Sequence, residues 1–195
     1  SGQTVAELLP GSYTVSYKDT PGWIKPADQI VQIVGGQTAI ISGNYQLTPQ
    51  LLAAASQKTH GAAGTFSLNL NLDPAANPTV EPRQRGPNQI MFSFNKEMKA
   101  ADGTLDATEF VVTNATYVSA SIVSSNLTLN LTNVVDRSWV TVVMNGLSDL
   151  AGNALEGDRD VVVRVLQSDV NQTQSVSAQD WLAVKTNLFK TVTVA

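Results

Sequence analysis

The stretch NLTLNL, residues 126–131, decides the fold class because its apolar and polar residues alternate strictly. Leu127, Leu129 and Leu131 share one face of an extended chain, while the Thr and Asn residues between them share the other. Alternation with a period of two indicates a strand that buries one face and exposes the other. The stretch therefore predicts a β-strand whose leucines enter a hydrophobic core.

The same alternation recurs along most of the chain. It is present in SYTVSYK (Tyr13, Val15, Tyr17), in FSLNLNL (Phe66, Leu68, Leu70, Leu72) and in IMFSF (Ile90, Phe92, Phe94). VTVVM (140–144) and VVVRV (161–165) are more continuously apolar, as is typical of strands covered on both faces. Turn dipeptides such as PG, GG, DG and NG separate the runs. Many short strands at close spacing predict an all-β fold made of sandwiches.

Helical periodicity is clear in one place only. In SAQDWLAVKTNL the residues Trp181, Val184, Lys185 and Leu188 recur at helical spacing, which predicts a helix over about 179–188 with Ser177 and Asp180 as possible N-terminal caps. Because a lone helix of this length is marginal in water, Trp181, Val184 or Leu188 is expected to pack against the sandwich or a neighbouring chain. DATEF (106–110) is expected to form one helical turn. LLAAASQK (51–58) is ambiguous, because alanine favours a helix while the flanking residues favour strands.

Composition restricts the function classes. The 195 residues include no cysteine and one histidine, 14% are charged, and the net charge is −4. The absence of cysteine excludes a disulfide framework, thiol catalysis and a thiolate zinc site. Dispersed acidic charge and the lack of a long apolar run lead us to expect no nucleic-acid partner and no membrane insertion. The low charge and the many Thr, Ser, Asn and Val residues suit an exposed β-protein.

The chain is expected to have three segments. Residues 1–48 form a small β-unit, and TPQ (48–50) marks its end. Residues 49–166 carry enough strands for a complete two-layer sandwich, in which the face of Phe66, Leu68 and Leu70 and the face of Leu127, Leu129 and Leu131 are expected to share one core. Residues 167–195 form a loop, a helix and a tail.

Several phrases in the central segment resemble a known family. FSFNKEM (92–98), DATEFVV (106–112), NLTLNL and WVTVVMNGLSDLAGNAL (139–155) together resemble a bacterial Ig-like domain of the surface-layer and adhesin type. This resemblance implies an Ig-like β-sandwich. Residues 2–45, with LLPGSYTVSY followed by GW and GQT, resemble a small transthyretin-like or PEGA-like β-sandwich repeat. Such repeats have further strands upstream of this region, so the resemblance implies a partial repeat.

The sequence DVNQTQSVSAQD (169–180) has the spacing of a twelve-residue calcium loop. Oxygen-bearing residues occupy positions one, three, five, seven, nine and twelve of such a loop, which is how these loops surround calcium. We therefore predict a calcium site formed by Asp169, Asn171, Thr173, Ser175, Ser177 and Asp180. Two acids supply less charge than tight sites bring, which predicts weak Ca²⁺ binding, with a dissociation constant of roughly 10⁻⁴–10⁻³ M. A degenerate loop of the same shape and a plain capped turn stay open as alternatives.

Residues 168–188 also resemble the first half of a type I dockerin, with Asp169, Val170, Asn171, Val176 and Asp180 matching in place. Thr173, Gln174 and Ser177 depart from that pattern, and the second loop of a dockerin is missing. If position six must be left-handed, Gln174 in place of glycine costs on the order of 1 kcal/mol.

Other polar residues are better explained by structure than by chemistry. His60 has no acid placed to orient it as a triad requires. Asp102, Asp106 and Glu109 fit turn and helix-start roles better than paired acid–base catalysis. Asp149, Asn153, Asp158 and Asp160 could hold a cation, but a polar turn explains them more simply. Trp23, Trp139 and Trp181 fall in separate segments and are expected to pack in cores or interfaces rather than form a sugar platform.

Together these observations predict a non-catalytic structural or docking fragment of a large secreted or cell-surface bacterial protein. Its expected partners are the neighbouring domains of the same polypeptide and a protein or polysaccharide. The alternative is a carbohydrate-binding accessory module of a polysaccharide-degrading enzyme. An exposed coplanar pair of aromatic rings would favour that alternative.

Overall fold

Extended chain dominates the structure, and the predicted all-β fold is confirmed. The computed structural model describes residues 4–73, 78–188 and 190. The chain divides into two compact units, Ser1–Thr48 and Pro49–Ala195. The loop, helix and tail of the third predicted segment therefore belong to the second unit.

The first unit contains two small antiparallel pairs. Strand β1 (Gly11–Val15) pairs with β3 (Gln29–Ile33), and β2 (Trp23–Ile24) pairs with β4 (Gln46–Leu47). No residue from 4 to 47 is fully buried. Two-stranded ribbons are marginally stable on their own. The few half-buried side chains of this unit are therefore important for its stability.

Tyrosines supply much of the packing in the first unit. Tyr13, Val15 and Tyr17 lie half-buried on one face, as their alternation predicts. The Tyr17 ring lies so close to Gly43 that a Cβ there would be 2.3 Å from a ring carbon. Tyr17 also meets Tyr45 edge to face at 6.3 Å, and the Tyr45 hydroxyl donates to the Lys18 carbonyl at 2.6 Å. Glycine is thus the residue that lets this ring pack on the backbone.

The second unit is a two-layer sandwich with one helix. Its strands are, in chain order, β5 (Leu51–Thr59), β6 (Thr65–Leu70), β7 (Val80–Glu81), β8 (Gln89–Phe94), β9 (Met98–Ala100), β10 (Phe110–Thr113), β11 (Thr116–Val123), β12 (Asn126–Thr132), β13 (Ser138–Met144), β14 (Leu147–Asp149) and β15 (Asp160–Val165), followed by the helix α1 (Ala178–Asn187). One sheet has the strand order β11-β12-β8-β5-β6 and the other β10-β13-β15-β7. Strands β9 and β14 form a separate antiparallel pair.

The core lies between the two sheets. Leu127 and Leu129 of β12 are fully buried and Leu131 nearly so, as the opening stretch predicts. The sheets contribute fully buried side chains from both sides, among them Ile90, Phe92, Val140, Val142 and Val163. Apolar faces that are one-sided in sequence are thus covered by each other.

Strand β6 differs from the prediction. Leu70 joins the common core, but Phe66 and Leu68 are only half-buried and lie outside it. They point to the inner face, yet the facing edge strand β7 has only two residues and does not extend over them. Strands β13 and β15 were expected to be covered on both faces, but one face of each is buried and the other only partly.

The ambiguous stretch 51–58 is a strand. It pairs with β8 on one side and β6 on the other, so its backbone hydrogen bonds are taken by two neighbours. Ala54 is 3% exposed at the centre of the sheet. Tertiary pairing therefore overrides the helical preference of alanine.

Buried ionic groups tie the rim of the sandwich together. Glu81 is fully buried, and Arg83 Nε donates to its Oε1 at 2.6 Å. Arg83 also donates to the carbonyls of Phe66 and Ser56 at 2.9 and 3.0 Å. A buried carboxylate is tolerable only when it is paired and hydrogen-bonded in this way, and the pair links β5, β6 and β7.

The DLAGNAL turn is held by Asp149, which is 2% exposed. Its Oδ1 accepts from the Asn153 backbone N–H and its Oδ2 from the Asn153 amide, both at 2.9 Å. The Lys96 ammonium also donates to Oδ2. Burial alone would raise the pKa of Asp149, but the hydrogen bonds from Asn153 and Lys96 outweigh it and lower the pKa to about 2.

The expected helical turn after Asp106 is present as a 3-10 turn at Ala107–Glu109. Asp106 accepts from the Thr108 N–H at 2.8 Å, and Glu109 accepts from the Asp106 N–H at 2.7 Å. This reciprocal pattern is a capping box.

Shortening Leu129 tests the common core. We expect Leu129→Ala to lower the free energy of unfolding by roughly 2–5 kcal/mol, since it leaves a cavity between the sheets. Leu52→Ala is the matched control, because Leu52 is 60% exposed on the same sheet, and its effect should stay within about 0.5 kcal/mol. Urea unfolding measures both, and equal effects would place Leu129 outside the core.

Acid should weaken the second unit through Asp149. The pKa of this carboxyl is about 2 in the folded chain against an ordinary 3.8, so its contribution of about 2 kcal/mol is fully present above about pH 4 and is lost as the pH falls through about 2. Between those pH values Asp149→Asn should lose less stability than the wild type in urea unfolding. Parallel losses in the two proteins would contradict this.

Candidate functional site

The predicted calcium loop lies between strand β15 and helix α1. Asp169, its first residue, is fully buried, and its Oδ1 accepts from the Thr173 N–H at 3.0 Å. The side chain of the first position therefore turns back over the loop that follows it.

Asp180 closes the loop from the other end and is 3% exposed. Its Oδ1 accepts from the Asn171 N–H at 3.2 Å, and its Oδ2 accepts from the Ser177 N–H at 2.8 Å. Burial acts to raise the pKa of Asp180, but the hydrogen bonds from Ser177 and Asn171 prevail and lower it. Asp180 is thus an ionised acceptor that joins the loop to the first turn of α1.

The middle of the loop gathers the uncharged oxygens. Asn171 Oδ1 accepts from the Thr173 hydroxyl at 2.8 Å. Thr173 Oγ1 in turn lies 3.3 Å from both the carbonyl and the hydroxyl of Ser175. The predicted ligands at positions three, five and seven are therefore within hydrogen-bonding distance of one another.

Ser177 has a different role from the one predicted for position nine. It is the N-cap of α1, and its Oγ accepts from the Gln179 N–H at 3.2 Å. The same hydroxyl donates to Asp180 Oδ2 at 3.2 Å. In this conformation Ser177 serves the capping box rather than the group of oxygens formed by Asn171, Thr173 and Ser175.

The backbone of the loop is left-handed at two glutamines. Gln172 has φ 58° and Gln174, at position six, has φ 64°. Residues with a Cβ adopt this region at a cost of about 1 kcal/mol or more, and a calcium loop needs the sharp turn at position six. The chain keeps the turn although it lacks the glycine.

One carboxylate oxygen in the loop has no partner. Asp169 Oδ2 is buried and accepts no hydrogen bond from the described residues. A buried oxygen of this kind is costly unless a donor or a cation satisfies it. Calcium takes oxygen ligands from carboxylates, amides and carbonyls, so the residues present fit the ion. Among the described residues no three His, Cys, Asp or Glu side chains form a metal-binding group, and the neutral oxygens would have to complete the shell.

Helix α1 leaves its apolar side chains in solvent. The helix begins and ends within one residue of the predicted span. Trp181 is 65%, Val184 48% and Leu188 54% exposed, so none of the three packs closely on the sandwich, and packing against a neighbouring chain stays a prediction. Trp181, Val184 and Leu188 share one side of the helix, but Leu182, 53% exposed, lies on another side, so the apolar residues are not confined to one face.

The tryptophans of the second unit do not form a platform. Trp139 is 39% exposed on the outer face of its sheet, and the Arg164 guanidinium lies 5.3 Å from its ring. The Lys185 ammonium similarly lies 4.9 Å from the centre of the Trp181 ring. In the described part of this unit the two rings are not stacked on each other. Neither ring packs in a core, because each lies on the surface beside a cation, and packing at an interface stays a prediction. In the first unit Trp23 is 43% exposed.

The remaining candidate residues serve the backbone. His60 is exposed and meets Phe66 edge to face at 5.7 Å. Asp102 accepts from the Thr104 N–H at 2.9 Å, and Asp158 from the Asp160 N–H at 3.2 Å. The two aspartate contacts are those of turns.

No described helix is long and apolar enough to cross a membrane. Comparison with protein-family models, with curated proteins and with solved structures gave no match to this chain.

Proposed function

We propose that this chain is a non-catalytic structural and docking fragment of a large secreted or cell-surface bacterial protein, and that calcium locks its C-terminal loop and helix. The sandwich spaces and presents neighbouring domains of the same polypeptide. The observation that carries the calcium part is the buried Asp169 Oδ2 without a partner, in a loop whose other oxygens already converge.

The loop explains why calcium would matter. Asp169 and Asp180 are both buried and bring two negative charges to one short segment. Burial of the two carboxylates and the unpaired Asp169 oxygen oppose folding of the loop, and a bound divalent cation would offset both penalties. Since α1 begins within the loop, its first turn would be fixed at the same time. An isolated helix of ten residues is marginal in water, so the cation would decide whether α1 is ordered.

Weak binding suits an extracellular role. With two acids in the shell we expect a dissociation constant of roughly 10⁻⁴–10⁻³ M, the range of extracellular modules. The non-catalytic part of the proposal is supported by the acids themselves. Asp102, Asp106 and Asp149 all accept hydrogen bonds from backbone N–H groups of their own turns, which leaves them structural tasks.

Replacing Asp169 by asparagine separates a calcium ligand from a plain turn residue. In chelator, Asp169→Asn should match or exceed the wild type in resistance of the tail to proteolysis, because it removes a buried charge while keeping the acceptor for Thr173. In millimolar calcium the order should reverse. At calcium tenfold above the dissociation constant the wild type gains about 1.4 kcal/mol and the variant gains nothing.

The matched control is Asp158→Asn, the same change at an exposed aspartate outside the loop. It should respond to calcium as the wild type does. Limited proteolysis and calorimetric titration with calcium measure these effects. If calcium changes neither protease sensitivity nor melting of the wild type, the loop keeps only its turn.

Glycine at position six should improve the loop. Gln174 is held at φ 64°, and Gln174→Gly removes a penalty of about 1 kcal/mol. If the turn is already formed without the ion, the variant should stabilise the tail in chelator as well as in calcium. If calcium itself imposes the turn, the gain should appear as roughly fivefold tighter calcium binding. Calorimetric titration distinguishes the two cases, and weaker calcium binding by the variant would contradict the loop geometry.

A further inference from the structure

Strand β11 is an open edge of the five-stranded sheet. Its eight residues, TYVSASIV, pair with β12 on one side only. The strand contains no charged residue and no proline, the usual devices that keep the edges of natural sheets from pairing. Its register shift between Tyr117 and Ser119 interrupts the first half alone, and Ser119 to Val123 continue without interruption.

The opposite edge of the same sheet, strand β6, is partly blocked. Arg83 Nη1 donates to the Phe66 carbonyl of β6 at 2.9 Å, and Thr79 Oγ1 lies 3.5 Å from the Asn69 carbonyl. Counted from the hydrogen bond of the His60 N–H to the Gly64 carbonyl, Phe66 bonds to β5, whereas the Asn69 carbonyl faces the free edge. Thr79 therefore takes one carbonyl of β6 that a further strand would need. The two edges therefore differ in their ability to accept a partner.

The hairpin fixes which groups of β11 face outward. Val123 and Asn126 close the two-residue loop Ser124–Ser125, so they form a hydrogen-bonded pair. Counting back, Ser121 and Ser119 also bond to β12, while Ile122 and Ala120 turn their N–H and C=O groups to the free edge. Among the described residues, no backbone or side-chain group forms a hydrogen bond with the N–H and C=O groups of Ala120 and Ile122.

We propose that β11 is a self-association surface, where two copies of this chain pair antiparallel about a twofold axis through Ser121. This register sets Ala120 of each copy against Ile122 of the other and uses both outward residues of both chains. Four backbone hydrogen bonds form, and Ser121 faces Ser121 across the axis. Antiparallel pairing of one strand with itself is the arrangement that a closed twofold dimer allows.

The side chains suit this register. Ala120 and Ile122 are half-buried apolar residues packed against the core, and each pair sets a small side chain beside a large one. The exposed residues that meet are serines and Val123, which is 75% exposed, so no like charges are opposed. The register also brings Val118, 55% exposed, opposite Ser124. Ser124 borders a groove of about 440 Å³ that Leu105, Ile122 and Leu150 line.

A single engineered cysteine tests the register. The chain has no cysteine, so Ser121→Cys gives one thiol per copy. Residues facing each other in a non-hydrogen-bonded pair have Cα atoms about 4.5 Å apart, within the range of a disulfide. Under mild oxidation Ser121→Cys should form covalent dimers at least about tenfold faster than random collision allows.

Ser67→Cys is the control, because Ser67 is exposed on β6, the partly blocked edge strand of the same sheet. It should cross-link only slowly. Equal rates for the two variants, or no cross-linking at Ser121, would overturn the proposal.

Charge at the axis gives a second, reversible test. Ser121→Lys and Ser121→Glu each oppose like charges in a dimer and should sediment as monomers where the wild type dimerises. An equimolar mixture of the two should restore the dimer, because lysine then faces glutamate. A wild type that stays monomeric at high concentration, or single variants that dimerise as well as the wild type, would overturn the proposal. Circular dichroism verifies that each variant is folded.

Discussion

Each strand of the sandwich has one apolar face that only the opposite sheet can cover, and the rest of the second unit is arranged around this need. Most of the fully buried apolar residues come from the middle strands of both sheets, with Phe92 and Leu129 on one side and Val140 and Val142 on the other. Removing their surface from water is the main favourable term in folding. The chain connections, the turns and the buried polar groups therefore lie at the edges of the core between the two sheets.

The polar groups at those margins show how the constraint is met. Where the facing sheet is too short, at β6 and β7, the gap holds the Glu81–Arg83 pair instead of aliphatic side chains. Where the chain leaves β14, Asp149 is buried against Lys96 and Asn153. Both carboxylates are fully engaged, so burial costs little more than their hydrogen bonds return. Asp169 Oδ2 is the exception, and this contrast within one unit is the reason to assign it a cation.

Alternation predicted the strands and the core face well, because both follow from the geometry of an extended chain. It did not show how far the opposite sheet extends, so Phe66 and Leu68 were placed in the core although β7 stops short of them. Alternation also could not show whether residues 51–58 form a helix or a strand. This alanine-rich stretch is a strand because it pairs with β8 and β6, which are distant in sequence. Register and sheet order depend on such distant contacts and are invisible to local pattern.

The spacing of oxygen-bearing residues predicted which side chains of the loop converge. Two features of the site lay beyond it. Left-handed φ values at Gln172 and Gln174 run against local preference, and only the closed loop with Asp169 and Asp180 at its ends imposes them. The diversion of Ser177 to the helix cap was signalled by its place before α1, where serine is a preferred N-cap. One residue thus fits two patterns, and the structure selects the cap.

The scarcity of charge links the two proposed surfaces. With 14% charged residues, the chain has few lysines or glutamates to protect the β11 edge or to cover α1, and in an isolated soluble protein both would promote aggregation. The surfaces nevertheless depend on different physics. Order in α1 depends on compensating two buried carboxylates, whereas pairing along β11 depends on backbone geometry and on side chains without charge. Calcium should therefore alter the tail and leave pairing along β11 unchanged. Salt, which screens charges but hardly affects backbone pairing, should weaken calcium binding far more than self-association.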